Sequence, residues 1–280
     1  MWTDLALHLS KSKNHYFMAT KSKTISKLDK ILKDQTMKKF ILLAVLMISF
    51  AATAQESVLL RLNYNKGDNY VTSVELKQSM GAQGGMSMTM LMNSNVSNVD
   101  DKSIMLESKV ESIVMNMNQG GMVMDYDSNK SSEELDQMGQ MMKSQFDPIL
   151  KASIYNSVDR YGNVLEVKIE PSLPGMEQFT GSQNAINFPE EEVSIGSSWA
   201  SEADNQGMKI VTKYTVTNIA DGMIFLDVSG DVSGIGTGTM NGKSTVEISS
   251  GIQTNATIEM TISAQGMEMS LVTTSTMTKI

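Results

Sequence analysis

From Val58 onward, apolar and polar residues alternate in runs broken by glycine and aspartate, and alternation sends side chains to opposite faces of an extended chain. Leu60, Leu62 and Tyr64 fall on one side of a first expected strand, with Arg61 and Asn63 on the other. After Lys66-Gly67-Asp68, the Val- and Thr-rich stretch from Tyr70 to Gln78 reads as the next strand. A reversal at Gly81 to Gly85 leads into Met86 to Val99, and Asp100-Asp101-Lys102 turns the chain back along Ile104 to Met117. Gly120-Gly121 then precedes a short strand from Met122 to Asp127. Successive runs joined by short turns are hairpins, so the pattern predicts an antiparallel sheet.

One segment changes period. Ser131 to Glu134 has capping-box spacing, and Leu135, Met138, Met142 and Phe146 follow at helical intervals, predicting a helix from about Ser132 to Phe146. Asp147-Pro148 should end it or start a second short turn, because the residue before a proline avoids helical geometry. Ile154 to Val158 and Val164 to Ile169 form a further hairpin around Asp159-Arg160-Tyr161-Gly162-Asn163. Pro171 to Pro189 is a connection with room for a short helix. Lys243 to Ile248, Ile252 to Ser263 and Met267 to Thr278 complete the expected strands, with Ile258, Met260 and Ile262 alternating against Glu259 and Thr261.

The two parts of this β pattern align. Val96 to Glu107 lies on Val216 to Asp227 without a gap at an offset of 120, sharing Val, Asn, Asp, Ile and Leu positions. Gly67-Asp68-Asn69-Tyr70 matches Gly196-Ser197-Ser198-Trp199, each a turn that brings an aromatic residue into a strand. The expectation is one β-rich domain over 55–280 made of two duplicated halves, about 55–170 and 190–280, forming a curved antiparallel sheet or open barrel with one or two helices. Tyr70 and Trp199 should cap its core at equivalent ends, and the helix should lie across the concave or open face.

Upstream, Met37 to Gln55 has the form of a secretory signal peptide: Lys38 and Lys39, an apolar run from Phe40 to Phe50, then Ala52-Thr53-Ala54. Cleavage is expected between Ala54 and Gln55, and the apolar run is too short for a stable membrane anchor. Residues 1–36 then read as an upstream extension from a mis-assigned start, with synthesis beginning at Met37; the alternative is a long region preceding a signal anchor. The expected location is the periplasm or beyond the cell. Residues 1–54 hold nine lysines against Asp4, Asp29 and Asp34, so the formal charge of −8 becomes −14 for 55–280. Such a surface repels nucleic acid and anionic headgroups.

Charge and residue choice also narrow the chemistry. Both histidines, His8 and His15, precede the cleavage point, and the chain has no cysteine. That excludes a Ser-His-Asp triad, a Cys-His dyad, disulfides, a typical zinc site and a lipid-modified cysteine in 55–280. Carboxylate, Lys, Tyr or Ser/Lys chemistry remains, but nothing fixes two carboxylates across a cleft as glycoside hydrolysis needs. The expectation is a protein that is not an enzyme and uses no cofactor.

Methionine is the unusual component, with 21 of the 25 falling after Ala54. Met86, Met88, Met90 and Met92 occupy alternate positions and would share one face of a strand; Met115 and Met117, Met122 and Met124, and Met267 and Met269 repeat the spacing. Three readings follow: a sheet core built with Met in place of Leu and Ile, a deformable apolar pocket, or a Cu(I) site, since thioethers are soft ligands. Asp125-Tyr126-Asp127-Ser128-Asn129 with Asp136 partly matches a calcium loop, but Lys130 replaces the required glycine and Asp136 the usual Glu. Glu190-Glu191-Glu192 reads as a solvated loop or edge that deters aggregation. The functional expectation is an exported non-catalytic protein holding an apolar small molecule or lipid in a Met-lined cavity. The alternatives are an envelope structural module with a filled core and a Cu(I)-binding protein.

Lys66 to Tyr70, Asp159 to Val164, and Phe188-Pro189 leading to Val193-Ser194-Ile195-Gly196-Ser197-Ser198-Trp199 together resemble an uncharacterised family of exported, β-rich bacterial proteins. The family has no established activity and implies no site residues. A remoter likeness, by architecture alone, is to the periplasmic lipoprotein-carrier half-barrels, which wrap a curved sheet around an apolar cavity.

Overall fold

The computed structural model describes residues 56–173, 186–205, 207–264 and 266–280. The expected signal segment, its cleavage site, the upstream extension and most of the Pro171 to Pro189 connection lie outside those residues. Glu56–Ile280 forms one compact unit by itself.

Twelve antiparallel strands build a single sheet. They are β1 (Asn69–Ser79), β2 (Gly84–Val99), β3 (Ile104–Gln119), β4 (Met122–Asp127), β5 (Ser153–Val158), β6 (Val164–Glu170), β7 (Ser198–Asn205), β8 (Met208–Ala220), β9 (Met223–Gly234), β10 (Thr237–Glu247), β11 (Gln253–Ala264) and β12 (Met267–Lys279). Across the sheet the order is β6-β5-β3-β2-β1-β12-β11-β10-β9-β8-β7, with β4 beside β3. The sheet is not closed: β6 and β7 are its edges. Glu166, Lys168 and Glu170 on one edge, and Glu202 and Asp204 on the other, put charge where unpaired backbone would invite another strand.

The expected hairpins match the strands to within a few residues at most ends, but not the first run. Val58 to Tyr64 keeps the alternation, with Val58, Leu60, Leu62 and Tyr64 buried, yet among the described residues its only ladder contact is a bridge from Val58 to Val193. Instead it plugs one end of the sheet. Leu62 N donates to Arg160 O at 2.8 Å in the β5–β6 turn, and Asn63 N donates to Ser250 O at 2.8 Å in the β10–β11 turn. One short segment therefore touches turns separated by four intervening strands, which requires the sheet to curve around it. Gly251 allows the approach, since an added Cβ there would lie 2.2 Å from Arg61 O; Gly162 likewise lets the β5–β6 turn meet the loop before β7, where an added Cβ would lie 2.4 Å from Ile186 O.

The plug sits in a core of Tyr70, Val96, Ile104, Val158, Phe188, Val216, Ile224, Leu226 and Val246, drawn from both flanks of the sheet. Tyr64 and Tyr70 meet edge to face at 5.2 Å, an arrangement that suits the ring quadrupoles. Trp199 stacks on Tyr214 at 5.4 Å and donates from Nε1 to Asn187 O at 2.7 Å, so it packs on this core while its polar atom is satisfied. Arg61 lies over the Tyr161 ring at 4.1 Å and donates to Leu60 O, Pro189 O and Glu190 O, fastening the plug to the loop before β7.

The helix α1 spans Gln137–Lys151, later than expected at both ends. Ser131 and Glu134 do bond, through Ser131 N and Oγ to Glu134 Oε2, but they close a turn ahead of the helix. Asp136 is the N-cap, its Oδ1 accepting from Gly139 N at 2.7 Å. Pro148 is inside the helix rather than after it. It sits in the last turn, where only one backbone bond is forfeited, and Asp147 pairs with both Lys143 and Lys151.

The strands align at the offsets seen in the sequence. In the β2–β3 hairpin the register shifts between Val96 and Asn98, and in the β8–β9 hairpin it shifts between Val216 and Asn218. Ser97 Oγ donates to Met105 O at 3.2 Å and Thr217 Oγ1 to Phe225 O at 3.1 Å. Gly67 N bonds Val96 O, and Gly196 N bonds Val216 O, both at 2.8 Å. The sheet neighbours β6-β5-β3-β2-β1 and β11-β10-β9-β8-β7 follow the same order. Where the second series has the single strand β10, the first has β4, α1 and β5 in succession along β3.

Candidate functional site

The inner face is set by the ladder. Tyr70 points into the plugged core, so Thr72, Val74, Leu76 and Gln78 of β1 share that side. Opposite them on β2 stand Met92, Met90, Met88 and Met86 in that order, so the four methionines face inward together. On β3 they meet Val110, Ile113, Met115 and Met117. A register shift between Leu91 and Met92 moves the inward phase of β3 from Val110 to Ile113; without it every later side chain would flip outward.

The helix covers part of this face. Met142 and Leu135 are buried with Val110, Ile113, Met115 and Tyr126, and Met86, Met88, Met90 and Met117 pack against that cluster. Phe146 stacks on Tyr126 at 5.3 Å. Three of the four sequence-picked methionines thus join one apolar cluster under α1, while Met92 lies between Thr72 and Val110 nearer the plugged core. Methionine suits such a seam because its unbranched chain adapts to irregular gaps.

Beyond the helix the same face continues across β12, β11, β10, β9 and β8. Leu271 and Met277 of β12, Ile258 and Met260 of β11, Met240 of β10 and Ile210 of β8 all fall on inward positions of the register and are half-buried. The opposite side of the same strands carries Glu259, Lys243, Asp227, Asp231 and Lys213. The sequence displays the alternation of β11 but not that these residues share a face with the methionines of β2. What joins them to the Met86–Met92 strand is the β1–β12 pairing, which unites the two ends of the described unit.

A polar band divides this face from the plugged core. Ser94 and Ser108 are buried with their Oγ atoms 2.7 Å apart, and Gln253 Nε2 donates to Ser244 Oγ at 2.7 Å. Thr72 Oγ1 and Asn156 Oδ1 lie in the same band, and Tyr126 OH lies under the helix, each without a hydrogen-bond partner among the described residues. An unpaired buried acceptor or hydroxyl costs free energy, so these atoms suit a water or a polar ligand group.

The other candidates are engaged elsewhere. Asp125 Oδ1 accepts from Asn116 Nδ2 at 2.6 Å, Asp127 Oδ1 accepts from Asn129 N at 2.9 Å, and Asp136 caps α1, so the partial calcium loop does not converge. Among the described residues, no group of three or more His, Cys, Asp or Glu side chains is placed to hold a metal. Glu190, Glu191 and Glu192 are on an exposed loop, with Ser57 Oγ donating to Glu192. Asp68 is held below the usual carboxylate range, first by Lys279 Nζ at 2.8 Å, and also accepts from Tyr70 OH at 3.1 Å. Burial pushes the Tyr64 hydroxyl up to about 12, and burial followed by Asp68 raises Tyr70 as well. That cluster fastens the start of β1 to the end of β12. An open depression of about 350 Å³ near the other end is lined by Gly85, Ser87, Asn116, Asn118, Val123 and Asp125, which are outer-face positions, with Met86 and Met117 beneath.

No family model and no curated protein matches the sequence. Among solved structures, the chain is similar in fold to one described as "lipid-protein interactions in lipovitellin", with a TM-score of 0.50 and 9% identity over 78% of this chain. The chain spans about a quarter (25%) of that protein's length. A second chain, described as intact Ap-TbpB with its N and C lobes, aligns at 8% identity over 80% of this chain and 79% of its own, but its TM-score of 0.14 denotes no shared architecture.

Proposed function

We propose that this is an exported, non-catalytic protein that holds an apolar ligand, a lipid or acyl chain, against the methionine-bearing inner face of its sheet. The observation that carries the reading is the continuity of that face. Apolar side chains run inward from β2 across β1 and β12 to β8, yet Val74, Leu76, Leu271, Ile258 and Met260 stay half-buried. A sheet that curves around a plug at one end and leaves such a face half-covered has the shape that an apolar ligand fills. The fold likeness to a structure described by its lipid–protein interactions adds support. The signal-like segment supports export, and the matched bulges and hydrogen bonds support descent of both sheet series from one duplicated unit within a family of exported bacterial β proteins.

Native mass spectrometry of the chain purified without detergent from its own cells tests this. We expect adducts with lipid-like masses that disappear on delipidation. Adduct-free protein that also fails to take up a fluorescent fatty acid would favour the filled-core envelope module, a reading supported by the plugged end. The Cu(I) reading has one supporting feature: Met86, Met117 and Met124 stand in one row across β2, β3 and β4.

A further inference from the structure

The two ends of the sheet differ sharply in chemistry. At the plugged end the turns carry Lys66 and Asp68, Asp100, Asp101 and Lys102, Asp159 and Arg160, and Asp221. At the distal end lie five reversals: Ser79 to Gly85, Gln119 to Val123, Asn205 to Met208, Ser233 to Thr237 and Ala264 to Met267. None of them contains Asp, Glu, Lys, Arg or His, although 55–280 carries a formal charge of −14. Four share one phrase, Gln then one or two Gly then Met: Gln83 to Met86, Gln119 to Met122, Gln206 to Met208, and Gln265 to Met267.

Exposure makes the composition consequential. Met122 is 61% exposed, Val123 64%, Ile235 69% and Met267 53%. Left-handed glycines such as Gly120, Gly207 and Gly266 make the reversals, and among the described residues the one carboxylate bonded to these three tips is Asp204, whose Oδ1 accepts from Gly207 N at 3.3 Å. Large apolar side chains exposed on three hairpin tips at the same end cost solubility unless something covers them, and exposed apolar groups rimmed by polar ones mark contact surfaces. The first charges below the rim, Asp204, Lys209 and Glu268, stand on the outer face, away from the inner one.

We propose that the distal rim docks shallowly into an uncharged lipid surface, with Met122, Val123, Ile235 and Met267 entering the boundary between headgroups and acyl chains. Such insertion needs apolar side chains at the tip and no charge carried in with them; the four side chains are apolar, and shallow docking leaves the Asp204 and Glu268 carboxylates on the outer face at headgroup level. The strongly negative unit disfavours an anionic surface, so the lipid is zwitterionic. The proposal deepens the apolar-ligand reading and rests on it: the inward positions of β1, β2 and β3 run to this rim, which would be the place where an acyl chain passes between bilayer and protein.

Flotation of Glu56–Ile280 with phosphatidylcholine vesicles tests the rim without the apolar run at 40–50. The unit is expected to float, to keep floating when salt is raised from ~50 to ~500 mM because no ion pairing is involved, and to lose at least ~10-fold in partitioning in Met122→Glu/Ile235→Glu/Met267→Glu. Should that variant fail to fold, Val123→Trp gives an independent reading: its emission moves to the blue with vesicles, whereas Thr276→Trp does not respond. Failure to float, equal flotation of the folded triple variant, or self-association abolished by that variant in place of flotation would each overturn the proposal. Fluorescent fatty-acid binding without vesicles separates the two claims. Flotation without fatty-acid binding removes the ligand reading and leaves the rim; fatty-acid binding without flotation removes the rim.

Discussion

Truncating Leu60 to alanine tests the claim that one extended segment, rather than a sheet-to-sheet contact, fills the plugged end. Leu60 is fully buried among residues from both flanks of the sheet, so little can relax into the space. Losing three carbons from a buried site removes about 2.4 kcal/mol of transfer free energy, and the cavity left behind raises the total to about 3–5 kcal/mol. Met90→Ala is the internal control: its side chain is half-buried, so the same reasoning gives about 1–2 kcal/mol. Urea unfolding followed by Trp199 fluorescence reads both, with the slope in urea compared between variants. Fatty-acid binding should survive Leu60→Ala and weaken in Met90→Ala. A Leu60→Ala loss below about 1 kcal/mol at unchanged slope would refute the plug.

Three further outcomes are expected. Acid should weaken the fold: Lys279 beside Asp68, backbone N–H groups of Lys102 and Ser103 at Asp100, and Ser131 at Glu134 all hold these carboxyls below their usual values. Their stabilisation is therefore present above about pH 4 and lost as pH falls through the lowered values; Asp68→Asn should flatten the urea midpoint against pH in that window, and an unchanged profile would remove Asp68 from the account. Gly251→Ala, which sets a Cβ against Arg61 O at φ +70, should cost at least ~2 kcal/mol, whereas Gly120→Ala, with open space at φ +60, should cost nearer ~1. Asp136→Ala should lower stability by about 1 kcal/mol through lost capping of α1, measured by thermal unfolding, and Ser132→Ala should change little.

Local patterns carried most of the strands, because a ladder with one apolar face imposes a period of two that the residues display directly. The same period misled at Val58 to Tyr64, where an extended plug packed on alternate sides looks like a strand. Capping chemistry misled in a similar way: Ser131 and Glu134 bond as a capping box would, yet Asp136 is the residue that begins the helix. Pro148 sits in the last turn of α1, where the expected break loses its force. The candidate face was half legible. The four methionines of β2 declared a shared side, but their partners on β12 and β11 depend on a pairing between the two ends of the unit, which no local pattern encodes. The inward phase of β3 depends equally on a bulge, since Val110 and Ile113 are out of step until the register shifts.

The central claim is that the inner face receives an acyl chain, and a photoactivatable fatty acid cross-linked to the protein and mapped by peptide mass spectrometry tests it most directly. Cross-links are expected on inward residues such as Leu76, Met88, Met90, Met260 and Leu271, competed away by unlabelled fatty acid. Cross-links confined to outer-face residues such as Glu75, Thr89 and Glu259, or none above background, would contradict it.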